Sequence, residues 1–543
     1  MINNDSLAPN LNEAASSSTT TQLKRSIGTF QLTLIGITSI IGSGWLFGAF
    51  HSAKIAGPAA LLSWFIGAAA LLLVALTIAE VGSLFPQSGG IARYLEYTHG
   101  SLSGFLSGWI NWLGIVACLP TEAAASVQYL SSISGFKNLF DPTTGNMSHQ
   151  GLVLSSILMV GYFLLNYWTL KLFLRSTTFV TLFKLIVPVI SVLAIMWSGF
   201  HPGNFGHDLQ TFAPYGFNAV FIAVAAGGVI FAFNGFQSIV NFAGEAKNPH
   251  RTIPVALISA ILICLAIYLI LQTGFIGALT PQDLANGWHG LNFSSPFVQL
   301  AISFNLNAIA LLLYVDAVIS PSGTGIAYMG STARMLFGMQ RSGYMPKFVG
   351  DLHPKYLIPR NAMWVSLILG FVFLWIFRGW GNLANVISIM NTLSYAAGPL
   401  AAAGLRYISP NWRSPCRIPG MKIIAPLSFI VISLIVYWSR WPLTGEVLLV
   451  VFAGLIIYFY FQLKNKGDIK MHLKSGIWFV CYLLVMALLS WLGSQQFGGI
   501  DLLKGPYDQI AVALVALLFY RWSLRSAWLT PLLQAFQQDK HMV

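Results

Sequence analysis

Long apolar runs recur along the whole chain, and they restrict the possible fold more than any other feature. A helix needs roughly 20 apolar residues to cross a bilayer. Only 8% of the residues are charged, whereas a soluble domain carries roughly 25%, so polar side chains are too few to cover a water-soluble fold. We therefore expect an all-α polytopic membrane protein and exclude a soluble enzyme, a nucleic-acid module and a disordered scaffold. Fourteen runs qualify as transmembrane helices, near residues 28–50, 58–84, 103–133, 151–171, 176–199, 217–242, 253–279, 298–333, 361–378, 383–405, 423–439, 444–463, 475–494 and 507–522. The run near 298–333 is overlong, and we expect it to be interrupted at Ser320-Pro321-Ser322-Gly323.

The basic residues assign a direction to this layout. If the N-terminus is cytoplasmic, 23 of the 29 lysines and arginines fall on the cytoplasmic side, five fall outside, and Lys184 lies within a span. Positive residues favour the cytoplasmic side of a membrane. We expect both termini in the cytoplasm, a location in the cytoplasmic membrane, and a disordered tail over residues 1–23 rather than a signal peptide.

Two of the runs are interrupted near their middle. The first contains Gly42-Ser43-Gly44, and the sixth contains Gly227-Gly228 followed by Phe231 to Gln237. Matching interruptions in two halves of a membrane protein indicate a transporter substrate site. The N–H groups at a half-helix start suit a carboxylate, and freed carbonyls suit an ammonium group, so together they suit an amino acid. The simpler interpretation is that these glycines only allow close helix packing.

Four motifs carry a family resemblance. They are Ile41-Gly42-Ser43-Gly44-Trp45, Glu80 to Gly90, Phe233-Asn234-Gly235-Phe236 with Gly244 to Pro254, and Ser331 to Pro346. With these four motifs in this order, the chain resembles the amino acid–polyamine–organocation superfamily of transporters over residues 25–405. The layout of its spans is similar to that of the bacterial aspartate–proton symporters, one branch of this superfamily. The resemblance implies a LeuT-like inverted five-plus-five repeat, with residues 24–199 and 217–405 as the two repeats. Residues 423–522 would then be accessory spans, and 523–543 a cytoplasmic tail.

The resemblance also implies a set of site residues. The substrate would be bound at the two interruptions, with Phe231 as an aromatic gate and with contacts from Ile40, Gly42, Ser43, Gly44, Ala232, Asn234 and Gly235. Lys184 would take the place of the sodium ion of sodium-coupled relatives, beside the hydroxyl groups of Ser320 and Thr324. The chain has Gln237 where several family members have Glu, so no mechanism can titrate a carboxylate there.

Ionisable groups inside a span are costly and usually functional. Lys184 lies about 12 Å into the fifth span and is a candidate for a group that gains and loses a proton during transport. Glu122 and Asp316 fall in the outer half of their spans, as candidates for vestibule carboxylates. Each of these acids can equally be a hydrogen-bonded structural group.

We conclude from the sequence that the chain is a proton-coupled amino acid permease that works by alternating access. The alternatives are a polyamine or amine importer or an amino acid/amine exchanger of the same superfamily, and, more remotely, a membrane sensor that transports nothing. No HExxH and no Walker motif occurs, so we expect no metal, no nucleotide cofactor and no enzyme activity. The expected partners are an amino acid, aspartate among the candidates, together with protons and the lipid bilayer, and no nucleic acid.

Overall fold

The structure is a computed structural model that describes residues 27–85, 90–168, 171–242, 245–354, 358–411, 414, 416–464 and 469–541. The predicted tail over residues 1–23 lies outside the described residues, as do positions 86–89 and 244 of the family motifs. The described chain is almost entirely helical, and the helices follow the apolar runs closely. The prediction of 361–378, for example, corresponds to a helix over Arg360–Phe377.

The first half of the chain forms eight helices around the first interruption. They are α1 Thr29–Ile40, α2 Gly44–Ala56, α3 Ala60–Leu84, α4 Ile91–His99, α5 Ser101–Leu130, α6 His149–Trp168, α7 Lys171–Ser198 and the single turn α8 Leu209–Phe212. A two-stranded hairpin, β1 Phe140–Asp141 and β2 Asn146–Met147, lies between α5 and α6. The all-α prediction missed this hairpin because two-residue strands leave no periodicity to detect.

The second half repeats the pattern of long helices around an interrupted one. The helices are α9 Phe217–Ala226, α10 Val229–Ala232, α11 Ser238–Asn241, α12 Pro249–Ala278, α13 Pro296–Ser303, α14 Asn307–Arg341, α15 Arg360–Phe377, α16 Trp380–Tyr395 and α17 Ala397–Ile408. The C-terminal part adds α18 Met421–Trp438, α19 Leu443–Lys464, α20 Ile469–Leu492, α21 Tyr507–Ser526 and α22 Pro531–His541.

Within the described residues, 12 helical stretches are long and apolar enough to cross a membrane, or up to 13 when the bent pair α21 and α22 is counted as one span. This number differs from the predicted fourteen for a structural reason. One stretch runs over Gly44–Leu84 and joins the end of the first run to the second, while α1 has only 12 residues and is too short to span alone. The chain is therefore a multi-pass membrane protein.

The interior of the molecule is built around α5. Every residue of α5 from Ser101 to Tyr129 is buried, and the helix packs against both α14 and α16. Large apolar side chains such as Ile157, Trp197 and Ile456 are exposed on the outer helices instead. An apolar exterior of this kind suits contact with lipid.

One expected irregularity is absent from the described chain. We expected the eighth span to be interrupted at Ser320-Pro321-Ser322-Gly323, but α14 is continuous through Pro321. A proline cannot donate the N–H bond to the carbonyl four residues earlier. The hydroxyl of Ser126 on α5 donates to that carbonyl, Ala317 O, at 2.9 Å, so a neighbouring helix supplies the missing bond.

Candidate functional site

The first interruption exposes main-chain groups over residues 41–43. α1 ends at Ile40 and α2 begins at Gly44. The N–H of Ser43 donates to Glu122 Oε2 at 2.9 Å, and the carbonyl of Ile41 accepts from Lys184 Nζ at 3.1 Å. The break thus places a free donor against an acid and a free acceptor against a cation, as the polarity of each group requires.

Glu122 was a candidate for a vestibule carboxylate or for a hydrogen-bonded structural acid. It lies on α5 next to the break, 2% exposed, and its Oε2 accepts from the Ser43 amide. A Cβ on Gly42 would lie 2.7 Å from Glu122 Oε1. Only glycine at position 42 therefore lets the carboxylate approach this closely.

Lys184 connects the first break to α14. Its ammonium group is buried, with the residue 2% exposed, and besides Ile41 O it donates to Thr324 Oγ1 at 2.6 Å. Among the described residues it forms no salt bridge, but Glu122 and Asp316 are near enough to interact with its charge. Ser320, the other hydroxyl assigned to this place, is fully buried, and its Oγ has no hydrogen-bond partner in the described part of the chain.

The second interruption is held by neutral side chains. After α10 the chain is non-helical over residues 233–237. The carbonyl of Ala232, one of the predicted substrate contacts, accepts from Tyr268 Oη at 2.6 Å, and the carbonyl of Phe231 accepts from Asn234 N at 2.9 Å. The N–H of Gly235 donates to Gln237 Oε1 at 3.0 Å, so the glutamine at this position fixes the loop without a charge.

The two interruptions touch each other through their main chains. A Cβ on Gly44 would lie 2.6 Å from Ala232 Cα. Gly235 has φ +107°, and a Cβ there would clash with the carbonyl oxygen of Ser39. Both positions require glycine, because backbone meets backbone with no room for a side chain.

A small cavity lies where these parts meet. Of the predicted substrate-binding residues, Ile40, Gly42, Gly44, Phe231 and Asn234 line it. The remaining lining residues are Ser39, Glu122, Thr324 and Tyr328.

An aromatic contact missed by the sequence analysis covers the site. Trp380, at the start of α16, donates from Nε1 to Ser43 Oγ at 2.9 Å and meets Phe231 edge to face, with ring centroids 5.4 Å apart. It lies 337 residues from Ser43 in sequence. A lone tryptophan near a span end gives no signal of such a contact, and the same holds for Tyr268 in the middle of α12.

Comparison with known proteins agrees with this architecture. A sequence model of the family described as amino acid permease matches residues 27–461. The chain belongs to the amino acid permease family. It is therefore a transporter rather than an enzyme, as the sequence predicted, within the amino acid–polyamine–organocation superfamily.

Three relatives from Bacillus subtilis are similar to this chain over most of its length. The glutamate/serine transporter AimA of Bacillus subtilis is 48% identical over 523 residues, covering 94% of this chain and 96% of the relative. The aspartate-proton symporter of the same organism is 36% identical over 506 residues, covering 92% and 96%. Its methylthioribose transporter is 27% identical over 459 residues, covering 82% and 95%.

Proposed function

We propose that this permease is a proton-coupled amino acid symporter whose substrate binds at the two helix interruptions. The observation that carries the proposal is the pairing at residues 41–43, where a main-chain donor meets Glu122 and a main-chain acceptor meets Lys184. The α-carboxylate of a substrate would compete with Glu122 for the Ser43 amide. Substrate binding would thereby change the surroundings of the charged groups and couple to their protonation.

The residues that line the cavity and the names of the relatives support a proposal for the substrate class. The walls offer hydroxyl and amide groups from Ser39, Asn234, Thr324 and Tyr328, which suit a small polar side chain. The two more similar relatives bear the names of transporters for glutamate and serine and for aspartate. We therefore expect serine, glutamate or aspartate as the transported amino acid.

The transport cycle would be alternating access in an inverted five-plus-five repeat. Residues 24–199 and 217–405 would form the two repeats, with α1 and α2 together as one broken span. This pairing restores fourteen spans, with 423–522 as four accessory spans and with the N-terminus and the 523–543 tail in the cytoplasm. Gly44 and Gly235 would keep the two broken spans in contact while the bundle rocks against its scaffold.

Purified protein in proteoliposomes tests the proposal. We expect labelled serine, glutamate or aspartate to accumulate when the outside is more acidic than the inside, and this accumulation to stop when an ionophore removes the pH gradient. Uptake that requires an amino acid inside and ignores the pH gradient would indicate an exchanger instead. Preference for putrescine would indicate an amine importer, and no uptake under any gradient would agree with a sensor.

A further inference from the structure

Asp316 on α14 is a buried acid. The side chain of Asp316 is fully buried, and neither of its carboxylate oxygens has a hydrogen-bond partner among the described residues. An ionised carboxylate in an apolar interior is strongly disfavoured unless it is paired or hydrogen-bonded. An Asp316 that holds its proton in this conformation would avoid this cost, and no hydrogen bond among the described residues accounts for an acid at this position.

Two hydroxyl groups continue from Asp316 along the same face of α14. Ser320 and Thr324 follow at intervals of four residues, and residues four apart are neighbours on a helix surface. The Ser320 hydroxyl is buried and has no partner in the described chain, whereas Thr324 Oγ1 accepts from Lys184 Nζ at 2.6 Å. The face thus carries polar groups over about 12 Å and ends at Lys184.

The helices packed against this face bring few charged groups to it. α13 contains no ionisable residue, and α15 contains only Arg360 at its first position. Ser126 on α5 adds a further hydroxyl beside the path, donating to Ala317 O. The ionisable groups that neighbouring helices bring to this level are Lys184 on α7, Glu122 and Tyr129 on α5, and Tyr162 on α6.

We propose that Asp316 is the proton-loading group of the transporter and delivers its proton to Lys184 through Ser320 and Thr324. The inference rests on the proposed proton coupling and names its entry route. After the Lys184 ammonium has released its proton toward the inner side, the Asp316 carboxylic acid loses a proton and becomes a carboxylate, and the neutral amine of Lys184 becomes an ammonium again. The relay would need one water between successive side chains, whose Cβ atoms lie roughly 5–6 Å apart on a helix. A proton from the outer side then restores the acid.

Asp316→Asn in the full-length protein tests the role, because the amide keeps the shape and cannot release a proton. In proteoliposomes we expect accumulation driven by a pH gradient to fall at least tenfold, while substrate counterflow at equal pH stays within twofold of the wild type. A structural role would lower both rates together. Asp508→Asn is the matched control, since Asp508 is also buried but is bonded to Tyr437 within the accessory helices, and it should leave both rates unchanged.

Ser320→Ala provides a second variant that removes only an unpartnered hydroxyl. We expect a three- to tenfold slower pH-driven uptake with counterflow unchanged. Ser366→Ala on α15 is the control, because Ser366 also carries a buried hydroxyl without a partner in the described residues. Ser320→Ala decides the question if Asp316→Asn fails to fold.

The outcomes separate this inference from the proposed function. If the wild type accumulates no substrate under a pH gradient, the proposed function fails and this inference fails with it. If the wild type accumulates substrate and both variants match it, only the route through Asp316 is wrong. A sodium gradient that drives uptake in the wild type but not in Asp316→Asn would assign Asp316 to a metal cation and overturn the proton role.

Discussion

The breaks at 41–43 and at 233–237 expose similar main-chain groups, but different side chains hold them. Glu122 and Lys184 hold the first break, whereas Tyr268 and Gln237 hold the second. Charged partners bind more strongly and respond to protonation and to a zwitterionic ligand. Neutral partners hold the main chain of a break in one geometry. We infer from this comparison that the first break would be the variable half of the proposed site and the second break its fixed half.

Removing the cation from the first break should have the largest effect. Lys184→Met leaves Ile41 O and Thr324 without their donor and leaves the nearby acids without a cation. Breaking a buried charged interaction typically costs about 3–5 kcal/mol, so we expect pH-driven accumulation to fall at least ~100-fold. Uptake assays in proteoliposomes check this, with a melting curve to confirm folding. Wild-type accumulation in the variant would remove Lys184 from coupling.

Separating the two breaks should have the next largest effect. Gly44→Ala places a methyl group 2.6 Å from Ala232 Cα, and overpacking of this kind costs about 1–3 kcal/mol. We expect uptake to fall roughly 10- to 100-fold. Gly161→Ala is the matched control, because nothing lies within 4 Å of the added methyl on α6. Equal activity of the two variants would show that the close approach of the breaks is dispensable.

Neutralising the acid at the first break should tighten substrate binding. In Glu122→Gln the amide oxygen still accepts from the Ser43 N–H. It competes less well than a carboxylate for this donor, and it carries no charge that would repel the substrate carboxylate. A difference of about 1 kcal/mol corresponds to roughly fivefold. Binding of labelled substrate to purified protein measures the change. Weaker binding in the variant would mean that Glu122 supports the substrate instead of competing with it.

The smallest effect is expected at the second break. Tyr268→Phe removes one hydroxyl from Ala232 O, and such a neutral hydrogen bond contributes about 1 kcal/mol. We expect the KM for uptake to rise about threefold, with the dependence on pH unchanged. A changed pH profile in this variant would contradict the division between a variable and a fixed break.

The apolar runs and the glycine motifs located the helices and both interruptions, because burial in lipid and broken helices leave local signals. Contacts between residues that are distant in sequence leave no such local signal. Glu122 could not be placed at the Ser43 amide from its position in a run, and the contact of Trp380 with Ser43 joins opposite ends of the core. The expected break at Ser320–Gly323 was wrong for the same reason, since the hydroxyl that completes α14 comes from Ser126 on another helix.

An experimental structure with the transported amino acid bound tests the central claim most directly. We predict an α-carboxylate oxygen about 2.7–3.2 Å from the amide of Ser43 or Gly44, with Glu122 withdrawn from Ser43 N and the contacts of Tyr268 and Gln237 unchanged. A substrate bound elsewhere while Glu122 still accepts from Ser43 N would contradict the account.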